Sequence, residues 1–148
     1  SGVPKMIKKM ADDNVKFKLA VSLHSAINET RTSIMPFNEK MNLDELADSL
    51  QYWYDKTKKI ITYEYVVWKG VNDKIEDINA LVKFCKKTPS KVNLIQYNSI
   101  DDPSFAQAPK HILENYIQLL ESNKIKATIR RSRGQDIDAA CGQLANKD

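Results

Sequence analysis

Short apolar stretches alternate along this chain with segments whose apolar residues recur at helical spacing, and this alternation constrains the fold most. Residues 60–68 are rich in β-branched and aromatic residues and form the clearest predicted strand, and the shorter stretches 17–23, 92–97 and 125–131 are predicted to be strands as well. Strands that alternate with helices favour βαβ units, in which successive strands are parallel. We therefore expect an α/β fold with about four parallel strands. The pattern does not decide whether the helices cover one face of the sheet or both.

Local signals refine the predicted helices, which are residues 6–10, 42–57, 75–85 and 109–120 and a short terminal helix that begins at residue 136 or 138. Asn42 followed three residues later by Glu45 predicts a capping box. Pro109 suits the start of a helix. Cys85 falls on the apolar stripe of its helix, so we expect it in the core rather than in a reactive site.

Length and composition indicate one domain, residues 1–148, that is large enough to bury a sizeable core. No apolar run approaches the roughly 20 residues that span a bilayer, and the start of the chain lacks a signal-peptide pattern. We therefore expect a soluble, cytoplasmic protein without a membrane partner. The two cysteines, Cys85 and Cys141, are too few and too far apart to form a disulfide framework or a metal site.

Basic residues cluster near the end of the chain, which has a net charge of +4. The cluster consists of Lys124, Lys126, Arg130, Arg131 and Arg133. Such a cluster is either a solvated charged face or a surface that binds the RNA backbone.

Polar residues follow three of the predicted strands. Ligands of parallel α/β folds bind beyond the carboxyl ends of the strands, where this sequence places Ser22, Leu23 and His24, then residues 68–70, then Asn98. Hydroxyl, imidazole and amide groups suit a ribose, a carboxylate or an amino group. Each of these side chains could equally be a strand-end residue whose hydrogen bonds are satisfied within the protein.

Cys141 lies shortly after Arg130, Arg131 and Arg133. Neighbouring cations lower the pKa of a thiol, so we expect Cys141 to be the more reactive of the two cysteines. The alternative is a small apolar residue on a short terminal helix.

The string from residue 130 to residue 144 resembles the C-terminal signature of the radical S-adenosylmethionine RNA adenine C2-methyltransferases, the RlmN/Cfr family. Residues 20–24, which end in Ser22-Leu23-His24, are similar to the family strand that ends in Ser-Leu-His, and Arg31 is similar to part of the segment after it. Residues 92–98 resemble the strand that ends in a cofactor-binding Asn. Many members have Pro-Trp-Asn-Pro where this chain has Gln-Tyr-Asn-Ser.

The resemblance covers essentially the whole chain but only the C-terminal portion of a family member, and it implies a partial parallel (β/α) barrel. It also implies that Ser1, Ser22, Leu23, His24 and Asn98 contact S-adenosylmethionine. In the family, the cysteine that corresponds to Cys141 is methylated. A second S-adenosylmethionine, cleaved by a reduced [4Fe-4S] cluster, then drives transfer of this methyl group to C2 of an adenine in 23S ribosomal RNA or transfer RNA.

Several parts of the family pattern are absent from this sequence. They are the Cys-x3-Cys-x2-Cys motif that holds the cluster, the Gly-Glu pair, the N-terminal RNA-recognition domain and the second catalytic cysteine. We therefore expect a fragment that binds no metal and is inactive alone. The first strand would then have an open edge, which favours self-association of the fragment.

Two other functions remain compatible with the residues. A non-catalytic RNA-binding or scaffold module would use the basic cluster between Lys124 and Arg133 without any need for Cys141. A stand-alone thiol enzyme would need a base near Cys141, for which the sequence offers only His24 and His111, neither of them adjacent.

Overall fold

The computed structural model of the chain describes residues 2–35, 42–97 and 105–131. Helices and strands alternate along these ranges. The elements in order are α1 (Gly2–Asp12), β1 (Ala20–Ser22), α2 (Asn28–Ile34), α3 (Leu43–Thr57), β2 (Ile61–Val67), α4 (Ile75–Cys85), β3 (Ser90–Gln96), α5 (Lys110–Ser122) and β4 (Lys126–Arg131).

The four strands form one parallel sheet in the order β1-β2-β3-β4. Each strand therefore pairs with the next strand of the chain, and each connection contains helix, as βαβ units require. The prediction of an α/β fold with four parallel strands is confirmed. β1 and β4 are the edges of this sheet, so the predicted edge position of the first strand is also confirmed.

Four of the helices, α1, α3, α4 and α5, pack on one face of the sheet. Side chains that alternate along the strands, such as Val21, Tyr63 and Leu94, enter the main core. This core also contains residues of α1, α3, α4 and α5, among them Ile7, Leu46, Trp53, Leu81, Leu113 and Leu120. The side chains between them point to the opposite face, where many are half-buried or exposed. The structure thus places the four longer helices on one side of the sheet, while Ile34 of the short α2 packs on the other side.

A second apolar cluster covers the carboxyl ends of β2 and β3 on the face opposite α1, α3, α4 and α5, and Ile34 of α2 packs against it. Its buried members are Val66, Trp68, Ile95 and Tyr97, and Phe105 packs against them. The ring centroids of Trp68 and Phe105 lie 5.2 Å apart, and those of Tyr97 and Phe105 lie 6.0 Å apart. This aromatic cluster shields one flank of the strand ends from water.

Several predicted boundaries differ from the structure by a few residues, and those of β1 and β2 have identifiable causes. β1 contains only Ala20–Ser22, although two further bonds extend its pairing with β2: Thr62 N–H donates to the Leu19 carbonyl, and Leu23 N–H donates to the Glu64 carbonyl. The strand stops there because His24 adopts a left-handed φ of 57°. β2 ends one residue before Trp68, which forms an isolated antiparallel bridge with Gln107.

Local signals identified two other features correctly. The side-chain oxygen of Asn42 accepts the Glu45 N–H at 2.9 Å and caps α3 as predicted. Cys85 is 3% exposed within the main core, which confirms its structural role. Within the described ranges, every helix is too short or too polar to cross a membrane.

Candidate ligand site at the carboxyl end of the first strand

The buried guanidinium of Arg31 binds the backbone at the carboxyl end of β1. This side chain is 1% exposed, and it reaches back from α2 to the strand end. Its Nε donates to the Leu23 carbonyl at 3.0 Å, and its Nη2 donates to the Ser22 carbonyl at 3.1 Å. Because the guanidinium is planar and rigid, two bonds from it fix the relative orientation of these two peptide groups.

The imidazole of His24 lies entirely below the surface. Its Nδ1 accepts the Val66 N–H at 2.9 Å, which assigns the ring proton of the neutral form to Nε2. Burial, aided by the charge of Arg31, lowers the pKa of His24 to about 3, so the ring is neutral at physiological pH. Nε2 has no hydrogen-bond partner among the described residues, and the ring meets Trp68 edge-on at 5.5 Å.

Asn72 connects the end of β1 to the end of β2. Its Nδ2 donates to the carbonyls of His24 and Val66, both at 2.8 Å. Its Oδ1 accepts the Trp68 N–H at 2.8 Å. Since Asn72 is fully buried, these bonds replace water at three backbone groups that the ladder of the sheet does not satisfy.

Two tyrosines extend this network into the helical layer. The hydroxyl of Tyr116, from α5, donates to the Asn72 carbonyl at 2.6 Å and lies 2.9 Å from the hydroxyl of Tyr65. Burial raises the pKa of Tyr116 well above its ordinary value, so both its bonds are those of a neutral hydroxyl. The strand end is therefore linked to α5 by buried hydrogen bonds.

Polar side chains form a row across the open face, one layer below the aromatic cluster. The Asn93 amide donates to Glu64 at 2.7 Å and accepts from the Thr128 hydroxyl at 2.9 Å. Arg130 pairs with the other oxygen of Glu64 at 3.1 Å. The carboxylate of Glu64 is thus bound by groups from two other strands.

The basic cluster predicted near the end of the chain is spread along β4. Lys126 and Arg131 are at opposite ends of this strand, about 17 Å apart at ~3.3 Å per residue. Arg130 is engaged by Glu64, and Lys124 precedes the strand in a left-handed turn with φ 64°. The cluster is therefore an extended edge rather than a compact patch, and Arg133 lies outside the described residues.

A second basic region lies at the amino ends of the strands, and the sequence analysis missed it. Lys16, Lys18, Lys59 and Lys91 line a hollow of about 280 Å³. Lys91 is in register with Lys126, so the row of cations continues onto β4. The lysines of this row come from four separate parts of the chain: residues 16–18, Lys59, Lys91 and Lys126. The fold, and not their spacing in the sequence, brings them together.

The structure places Ser22, Leu23 and His24 together at the strand end, as predicted. The predicted site residues Ser1, Asn98 and Cys141 lie outside the described residues. Within the described ranges no group of three or more His, Cys, Asp or Glu side chains is arranged to hold a metal ion. The sequence analysis missed Asn72 and Tyr116. The signal for Asn72 was a polar residue in the loop after a strand, and the signal for Tyr116 was a tyrosine on the apolar face of a helix.

Comparison with known proteins identifies relatives along the whole chain. The chain is 66% identical to the probable dual-specificity RNA methyltransferase RlmN of Flavobacterium psychrophilum, over all of its own length and 43% of that protein. It is 49% identical to the protein of the same name from Salinibacter ruber, with 99% of the chain and 40% of that protein covered. The corresponding protein of Staphylococcus aureus strain JH9 is 38% identical, over 100% of the chain and 41% of its own length.

Two solved structures share the fold. A radical SAM methyltransferase from Sphaerobacter thermophilus superposes with a TM-score of 0.81 at 33% identity, over 95% of this chain and 41% of that one. A domain of the pyruvate-formate lyase-activating enzyme from Bacteroides vulgatus gives a TM-score of 0.66 at 16% identity, over 85% of this chain and 73% of that one, which indicates the fold alone. The first of these supports the predicted partial (β/α) barrel.

No family model matches the chain. The chain spans about two fifths of the length of the curated relatives that it matches. Its identity to them extends along its full length, and a radical SAM methyltransferase has the same arrangement of strands and helices. We conclude that the chain belongs to the family of the bacterial proteins named RlmN.

Proposed function

We propose that this chain is part of an RNA methyltransferase that methylates C2 of adenine in 23S ribosomal RNA or transfer RNA by a radical mechanism, through a methylated Cys141. The observation that supports this function best is the buried His24, whose Nε2–H has no acceptor among the described residues, at a strand end in a relative of RNA methyltransferases. S-adenosylmethionine and a [4Fe-4S] cluster are the cofactors that the proposal assigns to the complete protein.

The strand end fits the adenosine part of S-adenosylmethionine. A neutral imidazole N–H is a donor that suits a ring nitrogen or a ribose oxygen, and both are abundant on adenosine. Bound together with a reduced iron–sulfur cluster, this cofactor supplies a methyl group and a carbon-centred radical. In the proposal Ser22, Leu23, His24 and Asn98 hold the cofactor, and Ser1 contacts it as well.

His24 acts in this proposal by binding rather than by moving a proton. Its pKa of about 3 leaves the ring neutral across the physiological range. Nδ1 is already occupied by the Val66 N–H, so the imidazole has no free basic nitrogen that could accept a proton. The aromatic cluster beside it keeps water away from the same strand end.

A direct test uses the complete protein to which this chain belongs. The protein is reconstituted anaerobically with iron and sulfide and is then incubated with a reductant, S-adenosylmethionine and unmodified ribosomal or transfer RNA. Mass spectrometry of the digested RNA should detect 2-methyladenosine. If RNA binds but no 2-methyladenosine forms, the methyltransferase assignment fails and the non-catalytic RNA-binding module becomes the better description.

For the RNA contact, the proposal uses the exposed basic residues of β4. Replacement of Lys126 and Arg131 by alanine is expected to weaken RNA binding because each cation that neutralises a phosphate releases counterions. The slope of log Kd against log salt should fall by about two when both cations are removed. Fluorescence anisotropy with labelled RNA at several salt concentrations measures this slope.

The matched control removes two exposed lysines from the helices, Lys56 of α3 and Lys83 of α4. Lys56→Ala with Lys83→Ala changes the net charge by the same amount. It should leave the salt slope unchanged. Equal losses in the two double variants would mean that RNA responds only to total charge and that β4 is not a specific contact.

A further inference from the structure

Three successive carbonyl groups at the end of β1 accept hydrogen bonds from buried side chains. Arg31 binds the carbonyls of Ser22 and Leu23, and Asn72 binds the carbonyl of His24. Arg31 and Asn72 come from different parts of the chain, so this short segment is fixed by two independent elements. Such complete satisfaction is typical of backbone whose geometry must not change when a ligand arrives.

We propose that Asn72 is a positioning residue that fixes the backbone and the imidazole of His24, so that Nε2–H is presented to a hydrogen-bond acceptor on the adenosine part of the cofactor. The inference rests on the proposed function and extends it to a residue that does not itself touch the ligand. Asn72 is assigned this role because its amide makes three hydrogen bonds to the backbone around His24.

Asn72 makes one of the two hydrogen bonds that orient His24 and contacts the residue that makes the other. It binds the His24 carbonyl directly, and it also binds the carbonyl of Val66, the residue whose N–H donates to His24 Nδ1. The same amide accepts the N–H of Trp68, whose ring lies against the imidazole. A carboxamide supplies two donors and an acceptor in one plane, and no apolar residue can replace it at this position.

The conformation of His24 explains why the segment needs this support. Its φ of 57° is in the left-handed region, which is uncommon for a residue other than glycine and costs free energy that the surrounding contacts must offset. Loss of the Asn72 bond would release the His24 carbonyl and allow the backbone to relax. The imidazole would then leave the Val66 N–H, and the direction of Nε2–H would no longer be fixed.

The test measures the affinity for S-adenosylmethionine and the state of His24 in the complete protein. Asn72→Ala removes all three side-chain bonds, and Tyr116→Phe removes the bonds of one hydroxyl, to the Asn72 carbonyl and to the Tyr65 hydroxyl. We expect Kd, measured by calorimetry, to rise by about tenfold or more for Asn72→Ala and by about two- to fivefold for Tyr116→Phe, as for other residues that orient a ligand-binding group. The ¹⁵N spectrum of the imidazole should change in parallel.

Thr88→Val is the matched control. Thr88 is buried just before β3, where its hydroxyl donates to the half-buried side chain of Gln51, so the variant also loses a hydrogen bond of a buried hydroxyl. Its thermal stability should fall, but its Kd should stay within about twofold of the wild type, since additive effects are expected at distant sites. A fall in affinity that matches that of Tyr116→Phe would show that general destabilisation, not positioning, is responsible.

The remaining outcomes also support or overturn the positioning role of Asn72. If Asn72→Ala does not fold, Tyr116→Phe provides the comparison with the control. An unchanged Kd and an unchanged His24 spectrum in the folded variants overturn the inference. If the wild-type protein does not bind S-adenosylmethionine, the proposed function loses its cofactor, and the spectrum alone tests the positioning: an unchanged His24 in Tyr116→Phe overturns it, and a changed tautomer or pKa supports it.

Discussion

Replacement of Cys141 by alanine in the complete protein is expected to abolish methylation of adenine C2, with a loss of at least about 10³-fold in rate. In the proposed reaction the sulfur of Cys141 holds the methyl group that is transferred, and alanine cannot form a thioether. Quantification of 2-methyladenosine in digested RNA measures the effect. RNA binding should persist, because the sulfur contributes no phosphate contact.

The control for this variant is Cys85→Ala. Cys85 is 3% exposed, and burial raises the pKa of its thiol to about 12, so it cannot replace Cys141 as a nucleophile. Its truncation removes one buried sulfur at a cost of about 1 kcal/mol of stability and should leave the activity of the folded protein unchanged. Full activity of Cys141→Ala would contradict the proposed role of this cysteine.

The parallel sheet could be predicted from sequence because its strands are local signals. β2 is rich in β-branched and aromatic residues, and β3 has the apolar residues Val92, Leu94 and Ile95 at its centre. The length of β1 could not be predicted in the same way. Its limits depend on which residues find partners in β2, and the left-handed turn at His24 ends it although Leu23 is buried in the same core as Val21.

α2 illustrates a second limit. Its sequence, NETRTSI, has a single aliphatic residue and no amphipathic pattern, so no helix was predicted there. The helix places Arg31 beneath the strand end, and the bonds to Ser22 and Leu23 are tertiary contacts. Propensity is a weak signal for so short a helix, and tertiary contacts override it.

For the candidate site, sequence reasoning found the residues that follow a strand and missed those that support them. Ser22 and His24 were predicted because parallel strands align their carboxyl ends along one edge. Asn72 and Tyr116 reach this edge through bonds between residues more than forty positions apart, which no local pattern encodes. The basic residues around Lys126 were predicted to form one cluster, but successive residues of a strand alternate between its two faces.

Raising the pH from about 9 to about 11 is expected to remove most of the free energy of unfolding of this fold. Burial raises the pKa of Cys85 to about 12 and the pKa of Tyr63, Tyr65 and Tyr116 above their ordinary value of 10.0. These acids stay protonated in the folded protein while the unfolded chain releases their protons. The contribution of these groups to the free energy of unfolding is therefore complete below their unfolded pKa values. It is lost progressively as the pH rises from these values toward the folded pKa values.

Deprotonation of these four groups in the unfolded chain lowers the free energy of unfolding by about 7 kcal/mol at pH 11. Each group contributes roughly 1.4 kcal/mol for each pH unit above its ordinary pKa. This sum is comparable with the total stability of a typical domain, about 5–15 kcal/mol. Urea unfolding followed by circular dichroism across this pH range measures the loss.

Tyr63→Phe removes one of the buried hydroxyls, so its stability should fall by about 1.4 kcal/mol less between pH 8 and pH 11 than that of the wild type. Tyr54→Phe, at a half-buried position of α3, is the matched control and should keep the wild-type pH dependence. Constant stability up to pH 11 would mean that water reaches these hydroxyls and that the core around the network is looser than the structure indicates.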